Sequence, residues 1–217
     1  MPGVGNDVVD LKDPENIEKS RDDRFLGRVF TAGEREWIAS APSPDTLLWS
    51  LWAAKEAAYK AVSRGDPAVC SIPRQYQVVL DAEDTTRKPV RRTGKVITPQ
   101  GKLVLEVAVS ADLVHALAAG AEETLRRLCR RVKRLDGGKS AGDPSVFVRG
   151  ALLREIARRL NCPVTDLSIV KNQDGLGAPR VIFRGDLLAA EVSLSHDGRF
   201  AAFAFDPATL IPIDCTG

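Results

Sequence analysis

The sequence predicts an α+β protein made of two pseudo-symmetric halves, each a small antiparallel sheet packed with helices. Three observations predict it. Residues 48–61 (LWSLWAAKEAAYKA) hold no Gly or Pro and are rich in strong helix formers, so a long helix is expected. Two strand-pair segments, 106–119 (EVAVSADLVHALAA) and 191–204 (EVSLSHDGRFAAFA), match without a gap at Glu106/Glu191, Ser110/Ser195 and Asp112/Asp197 among others. Each of them closes a run of helix and strands, and a basic, Gly-containing stretch separates the two runs. The expected division is residues 1–120 for the first half, 121–143 for a basic helix and linker, and 144–217 for the second half.

Composition narrows the class. The 217 residues are 44% hydrophobic and 28% charged, which suits one large globular domain or two small ones. A formal net charge of only +2 gives no global basic field, so nucleic acid is not expected as a partner. Cys70, Cys129, Cys162 and Cys215 form no CxxC pair, which argues against a zinc knuckle or a disulfide scaffold. No apolar run approaches the roughly 20 residues that span a bilayer. The acidic start, MPGVGNDVVDLKDPEN, is unlike a signal peptide, and a cytoplasmic protein with no membrane partner is expected.

In chain order, residues 4–11 (VGNDVVDL) predict a short buried strand, on which Asp7 and Asp10 point to opposite faces. Asp10 is expected to cap the next segment. A mixed charged helix comes next, and Thr31 with Glu34 forms a capping box that opens another. On the helix of residues 48–61, Glu56 and Lys60 lie one turn apart, and Ala53, Ala57 and Ala61 form a thin stripe where another element can pack close. Strands are expected at 76–80, 95–98, 103–110 and 114–119, with a polar loop over 81–94. Residues 121–135 (AEETLRRLCRRVKRL) read as one helix, acidic first and basic last, with Leu125, Leu128, Val132 and Leu135 on one face. Residues 136–144 are the linker. Residues 146–160 (VFVRGALLREIARRL) are a strongly amphipathic helix. A strand at 167–170, a Gly-rich turn at 172–179 and a strand at 181–183 come after it. A hairpin over 189–195 and 199–205 then turns at His196-Asp197-Gly198. His115 falls at a packing position and is expected to be structural.

The chemistry-bearing candidates are Asp7, Glu56, Lys60 and His196. Each singly is as easily a structural residue, and Glu56 with Lys60 alone is an ordinary surface ion pair. Together, two carboxylates on separate elements suit a hard cation such as Mg²⁺, which takes a few carboxylates plus substrate phosphates. A lysine beside them suits phosphate binding or proton transfer, and a histidine at a Gly-containing turn suits a phosphate oxygen.

In order along the chain, VGNDVVDL, FTAGEREW and WAAKEAAYK resemble the signature of the 4′-phosphopantetheinyl transferase superfamily, a Gly-x-Asp strand followed by a Lys-Glu-x-x-x-Lys helix. Downstream, GAPRV and VSLSHDGRFAAFAF resemble its Gly-Lys-Pro and Ser-His elements. The resemblance implies a holo-[acyl-carrier-protein] synthase. Such an enzyme moves the phosphopantetheine arm of coenzyme A to a serine of an acidic carrier protein, requires Mg²⁺ and releases 3′,5′-ADP. It implies Asp7 and Glu56 as metal ligands. Glu56 and Lys60 are implied as catalytic groups, and Lys60, Arg149, Arg180, Ser195 and His196 as coenzyme A contacts.

Two positions depart from the pattern. Val9 stands where two-half members carry a third metal ligand, which implies water in its place. Ala178 stands where the Lys of Gly-Lys-Pro is usual, with Arg180 two residues on. The order of parts is also unusual: the half with Asp7 and the Lys-Glu helix comes first, and the Ser-His half last. This resembles a fused two-half transferase with swapped halves, in which the site lies between the halves and a monomer suffices. Val9 and Ala178 also leave open a non-catalytic module that binds coenzyme A or a carrier protein.

Overall fold

Strand β1 (Gly5–Asp10) is buried along its whole length, because separate layers cover its two faces. The computed structural model describes residues 3–66, 68–82, 88–135, 142–170 and 178–211. The expected linker at 136–144 and Gly-rich turn at 172–179 lie mostly outside them.

After β1 come α1 (Asp23–Val29), α2 (Ala32–Ser40) and α3 (Pro44–Ser63). Asp22 caps α1 by accepting from Phe25 N, and the Thr31–Glu34 capping box opens α2 as the sequence predicts. α3 is longer than expected because Pro44 at its first turn costs no backbone hydrogen bond. Next are β2 (Gln77–Leu80), β3 (Val90–Thr98), β4 (Gly101–Val109) and β5 (Leu113–Ala119). They form one antiparallel sheet with β1 in the order β1-β5-β4-β3-β2. β3 begins inside the stretch expected as a polar loop, since its exposed polar residues still pair with β4.

The helix expected over 121–135 is a correction. Only Glu122–Arg127 is helical (α4), and Cys129–Arg134 is a strand, β6. Leu125 and Leu128 pack into an apolar cluster with Val4, Leu117 and Ala204. The rest of the segment lies along a later strand, Phe200–Phe205, and this pairing overrides local helix preference. α5 (Pro144–Leu160) is capped by Asp143 at its start and by left-handed Asn161 at its end. β7 (Leu167–Val170), β8 (Arg180–Phe183) and β9 (Asp186–Leu188) form a small sheet. β10 (Val192–Asp197) and β11 (Phe200–Phe205) form a hairpin as expected, but it turns at Gly198-Arg199 rather than at His196-Asp197-Gly198, since His196 and Asp197 pair with Ala201 and Phe200; the sheet order is β10-β11-β6.

The two hairpins do not keep the gapless register of the repeat. Val107 pairs with Ala116, whereas its counterpart Val192 pairs with Phe205. The second turn is tighter, so Ala111 lies in a turn while His196 lies inside β10. Gly198 has φ +49°, and a Cβ there would lie 2.5 Å from Asp10 Oδ2, so the close turn requires glycine.

The layers meet on β1. Its odd face packs against α3, and a Cβ on Gly5 would sit 1.8 Å from the Ala57 carbonyl oxygen. Ala53, Ala57 and Ala61 are fully buried, so the alanine stripe does let another element pack close, and that element is β1. The even face meets β11: Val8 packs with Phe200 and Ala202. Along the outer edge of β1, Ser193 Oγ accepts from Asn6 N at 2.9 Å and Asp197 Oδ2 accepts from Asp10 N at 2.7 Å. Side chains of β10 thus satisfy an edge that no strand pairs among the described residues.

Candidate active site

The side chains of Asp7 and Asp10 do point to opposite faces, and each finds a cation there. Asp10 is fully buried and takes Arg199 Nε at 2.8 Å and NH2 at 2.6 Å, plus the Arg199 backbone N–H. Burial alone would raise the Asp10 carboxyl, but the Arg199 bonds and the backbone N–H groups of Arg199 and Lys12 outweigh it and hold it below the usual range. Capping is therefore a minor part of its role, limited to Lys12 N.

Asp7 faces α3. Lys60 Nζ donates to Asp7 Oδ1 at 2.7 Å and to the Asn6 carbonyl at 3.1 Å. Glu56 is one turn before Lys60 on the same helix face. Burial pushes the Asp7 carboxyl up, with Lys60, the Val8 N–H and His196 acting against it. Burial also raises Glu56; the charge of Asp7 adds to the rise and Lys60 opposes it. Asp7 thus pairs directly with Lys60, and Glu56 feels both charges in a poorly solvated place.

Lys60 also lines a cleft between α3, α5 and β10, with about 820 Å³ of space including its solvent-open mouth. α3 contributes Tyr59, Lys60 and Ser63; α5 contributes Val148 and Arg149. Ala178 and Pro179, then Leu194 and His196 of β10, form the far wall. The Arg149 Nε is buried without a hydrogen-bond partner among the described residues. A cation so placed is suited to an anion arriving from the cleft.

The expected residues are thus only partly together. Asp7, Lys60 and Glu56 are neighbours in charge, and Lys60, Arg149 and His196 line one cleft. Ser195 does not line it. Strand alternation turns Ser195 toward β1, where its Oγ donates to Asn6 Oδ1 at 2.8 Å, while His196 is exposed on the cleft side. Arg180 is exposed at the start of β8, and its neighbours Ala178 and Pro179 reach the cleft instead. His115 is buried, and its pKa is pushed down to about 3 by burial and by Arg130, Arg91 and Lys60. That matches the structural role expected of it.

Sequence reasoning misses several residues of the site. Tyr59 and Ser63 border the cleft, and Ser63 lies three residues after Lys60, a spacing that carries the signal. Lys55, beside Glu56, faces the opposite way. It is buried and bonds Glu34 at 2.9 Å and the Pro73 and Tyr76 carbonyls. Arg127 and Arg130, basic residues of the expected helix, are engaged internally with Asp206 and Glu106.

The donor set fits Mg²⁺. Asp7 and Glu56 offer hard oxygen ligands, and each carries a raised carboxyl that a second cation would relieve. Among the described residues no cluster of three or more acidic, His or Cys ligands exists.

Fold and site define an α+β protein in which a lysine paired with a buried carboxylate opens onto a cleft that an arginine and a histidine also line. A family model for the 4′-phosphopantetheinyl transferase superfamily matches residues 3–118, and the chain belongs to that superfamily. It is 32% identical over 117 residues to the holo-[acyl-carrier-protein] synthase of Gloeobacter violaceus, covering 53% of this chain and 87% of that protein. The synthase of Nitrobacter hamburgensis is 30% identical over 123 residues, 51% of this chain and 83% of that protein. That of Chlamydia trachomatis serovar D is 35% identical over 88 residues, 37% and 74%. The matched residues include Asp7, Glu56 and Lys60. Arg149, Ser195 and His196 lie beyond the family match. Among the described residues no helix is long and apolar enough to cross a membrane.

Proposed function

We propose that this protein transfers the 4′-phosphopantetheine arm of coenzyme A to a serine of an acyl or peptidyl carrier protein, with Mg²⁺, releasing 3′,5′-ADP. The observation that carries the reading is Lys60, which holds Asp7 at 2.7 Å and also lines a cleft with Arg149 and His196. Asp7 and Glu56 would hold Mg²⁺, which supplies charge neutralisation at the pyrophosphate. Lys60, Arg149 and His196 bind phosphate oxygens and orient the arm. The carrier serine Oγ forms the new bond to phosphorus as the bond to the 3′,5′-ADP oxygen breaks. The serine proton leaves to a base, for which α3 offers Glu56 and Lys60. Ser195 acts indirectly, by fixing β10 to β1.

The chain is read as a first half, 1–120, and a second half, 144–217, joined by residues 121–143, of which β6 pairs with β11 of the second half. One chain supplies both walls of the cleft, so a monomer suffices. The carrier is expected to be acidic and cytoplasmic, from fatty acid, polyketide or peptide synthesis.

The test is the intact mass of apo carrier protein after incubation with coenzyme A, Mg²⁺ and this protein. A gain of one phosphopantetheine arm is expected, with a loss of about 10²-fold or more in rate for Glu56→Ala. No gain across several carriers, with coenzyme A still bound in calorimetry, would establish the non-catalytic module that Val9 and Ala178 favour.

A further inference from the structure

Arg64 stands just beyond the last turn of α3, one turn past Lys60, and reaches across the seam. Its NH1 donates to the Val192 carbonyl at 2.9 Å. Its NH2 donates to the Ala190 carbonyl at 2.8 Å and the Pro179 carbonyl at 3.2 Å. These three acceptors come from two separate chain segments, one leading into β8 and one into β10. Pro179 and Val192 are themselves lining residues of the cleft. The guanidinium is largely withdrawn from water, which lowers its pKa, and the Glu191 carboxylate opposes the shift.

We propose that Arg64 is a positioning residue that sets the width of the cleft by holding its second-half wall, at Pro179 and Val192, to the end of α3. Asn6, Ser195, Asp10 and Arg199 also join the halves, but their contacts lie on the even face of β1. Arg64 joins the wall that faces Lys60. The spacing between the Lys60 amine and that wall is then set by one rigid helical turn and one planar fork. Lysine cannot replace it, because a single ammonium on a shorter reach does not span three carbonyls in a fork. The proposal rests on the cleft being the coenzyme A site.

The test pairs Arg64→Lys with Arg64→Gln, the second serving if the first does not fold. Arg126→Lys, at an exposed site on α4, is the control. In the transfer assay KM for coenzyme A is expected to rise about tenfold, with kcat at saturating coenzyme A within about twofold of the parent. Hydrogen exchange of the amides at 190–194 is expected to rise about tenfold, with those of β4 unchanged. A lowered melting temperature with KM and exchange unchanged would make Arg64 merely structural and overturn the proposal. If the unaltered protein transfers nothing to any carrier, the function reading fails by itself, and the exchange comparison still decides whether Arg64 holds the wall.

Discussion

His115 shows how burial alone settles a residue's role. It sits on β5 between Val8 and Ala108, neutral, with its Nε2 buried and unpaired among the described residues. Its folded pKa is about 3, against an ordinary value of 6.5. The unfolded chain therefore binds a proton that the folded one refuses between those values. Stability falls as pH drops through that window, by about 1.4 kcal/mol per unit for this residue. Urea unfolding from pH 7 to 4 should show a shallower acid decline in His115→Phe than in the parent; equal slopes would contradict the account. At this scale the sequence is informative where neighbours are fixed by local geometry. Glu56 and Lys60 are placed by helical spacing, and Thr31 with Glu34 by capping. The fate of Ser195 depends on which face of β10 meets β1, which alternation alone does not decide.

Elements are legible where their reasons are local. α3, α5 and the β10–β11 hairpin carry their own periodicity, caps and turn residues. β6 does not: its basic residues continue the helical pattern of α4, and only the partner strand Phe200–Phe205 decides against it. The same dependence on a partner governs β1 and α3. Their separation is set by a glycine on one and an alanine stripe on the other. In Gly5→Ala the new methyl would meet the Ala57 carbonyl, and α3, with Glu56 and Lys60, must move outward. A loss of about 3 kcal/mol or more is expected in chemical denaturation, with transfer activity reduced in the fraction that folds. A variant of parental stability would show that the helix yields without cost.

At the scale of the molecule, β1 and the layer of β10 and β11 are tied by polar contacts as well as by apolar ones. Among them is the ion pair of Asp10, whose side chain is 1% exposed, with the partly exposed Arg199. Arg199→Ala would leave that carboxylate unpaired and should cost about 3 kcal/mol, read from the urea midpoint. Replacing both partners, as Asp10→Asn with Arg199→Met, should cost less. Equal losses would mean the packing, not the charge pair, holds the seam. The polar bonds across β1 also bear on how the chain is made. The Asn6 N–H is satisfied by Ser193, 187 residues later. At about 5–20 residues per second of synthesis, β1 waits roughly ten to forty seconds for the residues that cover its second face. Until then the nascent chain presents a bare strand edge with one dry face, and whatever shields newly made protein has that interval in which to act.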